Sequence, residues 1–260
     1  MFLRPRNIAY DTISASHNVL RRHAKPIEHN QMRARLVRID LEYRLAFARP
    51  AFMLLTRQFD IAEALASALA ALYTVNSNDV RIIDSNTLDD IEVKVDLFNR
   101  NGRFRFNANR LKINFQNISS KRDGEIVLQV LEAALTALEP FLSNIAIEQE
   151  VMNASLSYQA IEGQEAISAY FAPLKTSDFL KRSKHVGLKF AEFDERAKKT
   201  LALDLSPSWS INGIVLVSAN QLSESDLAEP IRTRINAYVA SIKRVLPQLG
   251  FSVEQSEAWK

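Results

Sequence analysis

The stretch IEVKVDLFNRNGRFRFNANRLKINFQN, residues 91–117, decides the fold, because apolar and polar residues alternate through it in three successive runs. Alternation with a period of two is typical of a β-strand that is buried on one face and solvated on the other. Short polar breaks separate the runs, and Asn101-Gly102 in the first break indicates a tight turn. The stretch therefore predicts an antiparallel meander of three strands.

The phase of this alternation puts the phenylalanines and the arginines on opposite faces of the meander. The phenylalanines share the apolar face with the aliphatic residues, whereas Arg103 and Arg105 lie on the polar face. Proteins that bind single-stranded nucleic acid by stacking present aromatic rings and positive charge on one surface. Glu92 and Asp96 lie on the strand that faces these arginines, where opposite charges pair across a sheet. We therefore favour a solvated, salt-paired sheet face over a base-stacking one.

The elements around the meander follow an order that the second half of the chain repeats. The first half reads as a strand (35–47), an alanine-rich helix (59–73), a short strand (80–83), the meander, and a long helix (125–142) that follows Gly124. The second half reads as a strand (145–161), a short helix (164–174), three strands (186–193, 199–205 and 213–219) and a long helix (226–250). Both long helices carry apolar residues at alternating steps of three and four. Carboxylates in the strands alternate with apolar residues, as the outer face of a strand requires.

From this order we predict an α+β fold with an internal duplication of a strand–helix–(three or four antiparallel strands)–long helix unit. The units would form a pseudo-dimeric saddle or a helix-on-sheet arrangement. The predicted boundaries are a basic N-terminal arm over residues 1–34, a first repeat over 35–144 and a second repeat over 145–260. The element order alone resembles that of saddle-type proteins such as the TATA-box-binding protein, and equally that of helix-grip ligand binders.

Composition excludes several kinds of chemistry. The 260 residues are 47% hydrophobic and 24% charged, an ordinary globular mixture, and none is a cysteine. This rules out disulfides, thiolate nucleophiles and cysteine-ligated metals. The six glycines are scattered and form no phosphate-binding loop, and no G-x-S-x-G motif is present. We expect no cofactor, no transmembrane segment and a cytoplasmic location.

Catalytic and metal-binding residues are scarce. His185 is the only histidine of the body, and the charged residues at 194–199 are better explained as a hairpin turn than as an acid–base site. His17, His23 and His29 are six residues apart, which is not the spacing of a helical metal pair. We predict neither an enzyme nor a metal site.

The basic character of the chain is concentrated at its start. Residues 1–38 hold eight lysines or arginines against two acidic residues, whereas the whole chain has a formal charge of only +3. The candidate binding residues of this arm are Arg4, Arg6, Arg21, Arg22, Lys25, Arg33 and Arg35. Trp209, in a loop rich in proline and serine, is a candidate interface anchor.

The preferred hypothesis is a non-catalytic binding or assembly protein that uses a duplicated antiparallel sheet as its partner or ligand surface. Its partner would be another protein or a second copy of the chain. One alternative is a nucleic-acid-binding protein that uses the basic arm. Another is a helix-grip binder of a small apolar ligand, which would need an apolar cavity between the sheet and a long helix.

Overall fold

The computed structural model describes residues 32–83, 87, 91–175, 186–194, 199–222, 229–255 and 258. These residues belong to one compact unit, Gln31–Lys260. Residues 1–31 of the predicted arm lie outside the described residues, and so does His185.

Ten strands and five α-helices occur in the described part of the chain. The strands are β1 (Met32–Phe47), β2 (Val80–Ile83), β3 (Glu92–Leu97), β4 (Gly102–Phe106), β5 (Arg110–Ile118), β6 (Ile147–Ala160), β7 (Leu188–Asp194), β8 (Lys199–Ser208), β9 (Gly213–Leu222) and β10 (Phe251–Glu254). The helices are α1 (Phe52–Thr56), α2 (Gln58–Leu69), α3 (Lys121–Leu142), α4 (Gln164–Phe171) and α5 (Ile231–Val245).

All ten strands join one sheet, whose order is β2-β3-β4-β5-β1-β6-β9-β8-β7, with β10 added in parallel to the start of β1. The long strands β1 and β6 lie antiparallel at its centre. The first half of the chain extends the sheet on one side, and the second half extends it on the other. The α+β class is confirmed, and the order strand, helix, antiparallel strands, long helix occurs in each half. That the halves arose by duplication stays a prediction.

Strand β1 begins at Met32, three residues before the predicted start, and carries a bulge near its middle. Its pairing with β6 shifts register between Leu36 and Arg38. Before the bulge the buried residues include Ala34, whereas after it they include Tyr43. A bulge inserts one residue and so exchanges the two faces of a strand. The outward-pointing positions therefore change from odd to even numbers along β1.

One face of the sheet is covered by helices. Helices α2 to α5 all contribute buried residues to the same core cluster as the inward-pointing strand residues. Phe104 and Phe106 of β4 are buried there together with Val127 and Leu131 of α3. The predicted inward phase of the phenylalanines is confirmed. Because these four side chains fill the core beside α3, the helix-grip hypothesis has no support at this place.

Helix α3 begins at Lys121, and Gly124 lies inside it rather than before it. The reason is a side-chain cap: Ser120 Oγ accepts a hydrogen bond from Asp123 N at 3.2 Å. The Asp123 carboxylate in turn accepts from Ser119 N at 3.2 Å. Hydrogen bonds from Ser120 and Ser119 hold the pKa of Asp123 below its usual value. This exchange of hydrogen bonds fixes the start of the helix.

Asp60 suggests a cap for the alanine-rich helix by its residue type, but it does not cap helix α2. Helix α2 starts at Gln58 after Arg57, which makes no side-chain cap hydrogen bond. Asp60 instead accepts from Arg57 Nε at 3.0 Å.

The turn between β3 and β4 also differs from the prediction. The residues with a left-handed backbone conformation are Phe98, Asn99 and Arg100, with φ of 48°, 53° and 72°. Asn101 and Gly102 do not have positive φ values. Gly102 is required for packing instead, because a Cβ at this position would lie 2.8 Å from the ring of Phe115.

We expect Gly102→Ala to lower the free energy of unfolding by about 1–3 kcal/mol, since overpacking forces side chains or backbone to shift. Urea denaturation followed by circular dichroism measures the loss. The double variant Gly102→Ala/Phe115→Leu makes room for the added methyl group, so its loss relative to Phe115→Leu alone should be smaller. An Ala variant as stable as the wild type would show that Phe115 does not limit this site.

Candidate functional site: the open face of the sheet

The open face is the sheet surface opposite the helices, formed by the outward-pointing side chains. On the side of the sheet built by β1 to β5 it is rich in lysine and arginine. On the side built by β6 and β9 it carries uncharged residues, among them Asn153, Ser155, Ser157, Val215, Val217 and Ala219. The excess of positive charge therefore lies on the β1–β5 side of this face, although the chain beyond residue 38 is net acidic.

Five cationic residues stand in one line across five neighbouring strands. The register pairs Arg81 with Lys94, Lys94 with Arg105, Arg105 with Lys112, and Lys112 with Arg44. We call these five residues the cation row. With neighbouring strands about 4.8 Å apart, the row extends about 19 Å across the sheet.

Like charges placed directly opposite each other destabilise a sheet, so the cation row needs compensation from its neighbours. The two flanking rows supply three carboxylates (Glu42, Glu92 and Asp96) but also two more arginines (Arg103 and Arg110). Lys112 forms the closest ion pair of the row, with Nζ 2.5 Å from Glu42 Oε2. Positive charge therefore exceeds negative charge across this region.

Asp96 is the anion around which the cations gather. Its side chain is only 4% exposed, and its carboxylate accepts a hydrogen bond from Arg103 Nε at 2.5 Å. Nitrogen atoms of Lys94, Arg81 and Arg100 lie 3.8, 4.0 and 4.0 Å from its second oxygen. Burial would raise the pKa of Asp96, but the Arg103 hydrogen bond and the surrounding cations hold it below the usual value. The single carboxylate of Asp96 is thus the ion-pair partner of four cationic side chains.

Lys94 shows the effect of this crowding on the cations themselves. Burial lowers the pKa of the Lys94 ammonium, and the charges of Arg103, Arg105 and Arg81 lower it further. The carboxylate of Asp96 opposes this shift without cancelling it. The centre of the cation row is therefore an electropositive environment.

Two guanidinium groups of the row carry an unsatisfied donor. The Nε atoms of Arg44 and Arg105 are buried and have no hydrogen-bond acceptor among the described residues. Among the described residues, the nearest carboxylate oxygen to Arg105 belongs to Glu92 and lies 4.0 Å from Nη1, and Arg44 forms no ion pair. Buried donors are normally satisfied, so these two guanidinium groups are among the least compensated cations of the row.

Of the residues predicted as a site from the arm, only Arg33 and Arg35 are described, and neither joins this row. Arg33 Nε donates to Glu162 at 2.5 Å and its Nη1 lies 3.6 Å from Glu254. Arg35 donates to Gln159 at 2.7 Å. Both arginines are thus tied to neighbouring chain segments at the start of β1. Arg4, Arg6, Arg21, Arg22 and Lys25 lie outside the described residues.

Trp209 begins a short 3-10 helix, Trp209–Ile211, between β8 and β9. The structure thus places the residue at a strand connection, and its role as an interface anchor stays a prediction.

Sequence reasoning missed the cation row. Alternating lysines and arginines are visible in each strand, but only the register of five strands shows that they align. Arg44 is separated from Lys112 by almost seventy positions, and the bulge in β1 decides which of its residues point outward. A search for cations at every second position of neighbouring strands could have raised the hypothesis.

No protein-family model matches the sequence, and no curated protein is significantly similar to it. Among solved structures, the chain is similar to Methanococcus jannaschii TBP, with 12% sequence identity, coverage of 82% of this chain and 99% of that chain, and a TM-score of 0.27. A TM-score this low supports no conclusion about function. Within the described residues, no helix is long and apolar enough to cross a bilayer, and no three acidic or histidine residues cluster as a metal site.

Asp96→Asn should have opposite effects on folding and on anion binding. Removing the charge that Arg103 contacts should cost about 1–3 kcal/mol of unfolding free energy, whereas the extra net positive charge should strengthen binding of a polyanion up to about tenfold at low salt. Because the pKa of Asp96 is lowered in the folded state, its contribution to stability is present above about pH 4 and lost as the pH falls further. Urea titrations between pH 3 and pH 7 and a polyanion-binding assay measure both effects. A variant that loses affinity would show that Asp96 supports binding rather than limiting it.

Proposed function

We propose that this chain is a non-catalytic binding protein whose open sheet face takes the phosphate backbone of a nucleic acid. The observation that carries the proposal is the cation row, five aligned positive side chains that the protein neutralises only in part. Like charges placed opposite each other destabilise the sheet. A partner that supplies negative charge would remove this repulsion. Polyanions bind proteins of this kind by releasing condensed counterions.

The chemistry of the open face favours contacts to phosphate over contacts to bases. In strands β1 to β6 the aromatic residues are buried in the core rather than displayed beside the arginines, as Phe104, Phe115 and Tyr158 show. Base stacking needs exposed rings next to positive charge. Recognition through this face should therefore depend weakly on sequence and strongly on salt.

The size of the row suits a double helix. A span of about 19 Å across the strands is enough to reach several phosphates of a duplex, which carries one charge per about 1.7 Å of its axis. The uncharged half of the face, with serine and valine side chains on β6 and β9, would lie beside the same partner.

The test is a titration of the protein into a fluorescein-labelled 20-base-pair DNA duplex of mixed sequence, followed by anisotropy at several salt concentrations. We expect log K to fall linearly with log salt, with a slope of about −3 or steeper if at least three phosphates are neutralised. No binding at 50 mM salt, or a slope near zero, would refute the proposal.

Two further arms of the experiment separate the competing hypotheses. Replacing Arg4, Arg6, Arg21 and Arg22 with glutamine should leave most of the affinity in place; a complete loss would assign binding to the N-terminal arm instead. Poly-glutamate at equal charge concentration should compete poorly. Competition equal to that of unlabelled duplex would favour an acidic protein partner, which is the second candidate function.

A further inference from the structure

A cavity of about 770 Å³ lies on the helix side of the sheet, between the C-terminal half of α3 and the first turn of α5. Leu45 of β1 and Ile147 of β6 lie at its walls, together with Leu135 and Leu142 of α3 and Ile231 of α5. Its volume falls in the range of small-molecule sites. The cavity is separate from the open face and independent of the function proposed for that face.

The charged residues among the described lining residues are mostly acidic. Some of these carboxylates form ion pairs and others do not. Glu132 is engaged by Arg232, whose Nε and Nη2 donate to it at 2.8 and 3.0 Å. Glu139 and Glu229 are exposed, and within the described residues neither carboxylate has a hydrogen-bond or ion-pair partner. Two uncompensated carboxylates therefore lie at a cavity whose walls are partly apolar.

Among the described lining residues, the only cation is already neutralised. Arg234 is 8% exposed and donates from Nη1 to Glu150, which is fully buried. Because this pair is buried in the core, the Arg234 charge is not available to balance Glu139 or Glu229.

The end of helix α3 adds to the negative potential. Leu142 and Ser143 line the cavity, and they are the last residue and the C-cap of this 22-residue helix. The last turn contains no basic residue. A helix C-terminus carries about half a negative charge, which favours a nearby cation. Glu229 is a weaker candidate than Glu139 for binding a cation. It precedes the N-terminus of α5, and the dipole of that helix already stabilises a carboxylate there.

We propose that this cavity is a binding site for a small amphiphilic amine, with the apolar body between α3 and α5 and the ammonium group at Glu139. The apolar walls account for the body of such a ligand. The Glu139 carboxylate and the C-terminus of α3 account for its charge.

The test uses dansylcadaverine, a fluorescent apolar ring system with a primary amine, and its N-acetylated form as the neutral control. With the full-length protein, we expect saturable enhancement of dansyl emission and weaker binding of the acetylated probe by about two- to fivefold, the scale of one exposed ion pair. Glu139→Gln should reduce the affinity for dansylcadaverine by a similar factor and leave the acetylated probe unchanged.

Two variants complete the experiment. Glu148→Gln removes an exposed carboxylate of β6 that does not line the cavity, so it should leave both affinities unchanged. Thr136→Arg places a cation at the lining on an exposed helical position and should abolish the preference for the amine. Equal affinity for the two probes, no effect of Glu139→Gln, or no saturable binding up to 1 mM probe would each overturn the proposal.

Discussion

Replacing Arg44, Arg81 and Arg105 with glutamine is expected to weaken duplex binding by about 10²–10³-fold at 0.1 M salt. Each neutralised phosphate contributes about 0.9 to the slope of log K against log salt, so losing three contacts should also reduce that slope by about 3. These arginines are the members of the cation row with the weakest ion pairs, since the nearest carboxylates lie 4.0 Å from Arg81 and from Arg105 and none pairs with Arg44 within the described residues.

The same triple variant should fold as well as the wild type or better. The repulsion between aligned cations destabilises the sheet, and glutamine removes this repulsion.

The matched control replaces three exposed cations outside the strands with glutamine, namely Arg49, Arg122 and Lys243. It removes the same net charge and should lose little affinity. If both triple variants lost affinity equally, net charge rather than the row would be responsible. A triple variant that binds normally would remove the cation row from the interface.

Replacing Arg234 with methionine should produce the largest loss of stability, about 3–5 kcal/mol of unfolding free energy. Arg234 connects α5 to the central strands: Nη1 donates to the buried carboxylate of Glu150 on β6 and lies 3.5 Å from the Tyr43 hydroxyl of β1. Burial raises the pKa of Tyr43 far above its ordinary value, so the phenol stays neutral and can accept or donate a hydrogen bond. Methionine keeps much of the arginine volume but removes the guanidinium charge that opposes Glu150.

The double variant Glu150→Gln/Arg234→Met distinguishes the loss of a charge partner from a loss of packing. Once both charges are gone, no buried ion lacks an opposite charge, so at least half of the lost stability should return. Urea denaturation of the single and double variants gives the coupling energy. A single variant that costs less than about 1 kcal/mol, or a double variant no better than Arg234→Met, would show that the pair does not hold α5 on the sheet.

Local patterns in the sequence were enough to predict the three strands of the meander and which way their side chains point. The alternation in β3, β4 and β5 correctly placed Phe104 and Phe106 in the core. It also put Glu92 and Asp96 on the strand opposite Arg103 and Arg105, because both predictions follow from a period of two and from neighbouring strands. The repeated element order likewise predicted the α+β class. Helix α3 starts four residues before the position that Gly124 indicates, because the Ser120 side chain caps it at Asp123 N.

The candidate sites depend on distances that local patterns do not contain. The cation row requires the register of five strands and the bulge in β1. Glu150 was expected on the outer face as one more alternating carboxylate, but it is fully buried beside an arginine 84 positions away. The cavity depends on the distance between α3 and α5, which only the folded structure gives. In each case a contact between residues far apart in the chain decides the chemistry, and no short stretch of sequence records it.

The most direct test of the open face as the nucleic-acid surface is lysine footprinting by mass spectrometry. The full-length protein is treated with an acetylating reagent with and without saturating duplex, and the rate of modification is compared for Lys94, Lys112 and Lys243. Lys94 and Lys112 belong to the cation row, whereas Lys243 is an exposed residue of α5. The account predicts that duplex slows the modification of Lys94 and Lys112 at least severalfold and leaves Lys243 unchanged. Equal protection of all three lysines, or unchanged rates at Lys94 and Lys112 under conditions where duplex is bound, would contradict it.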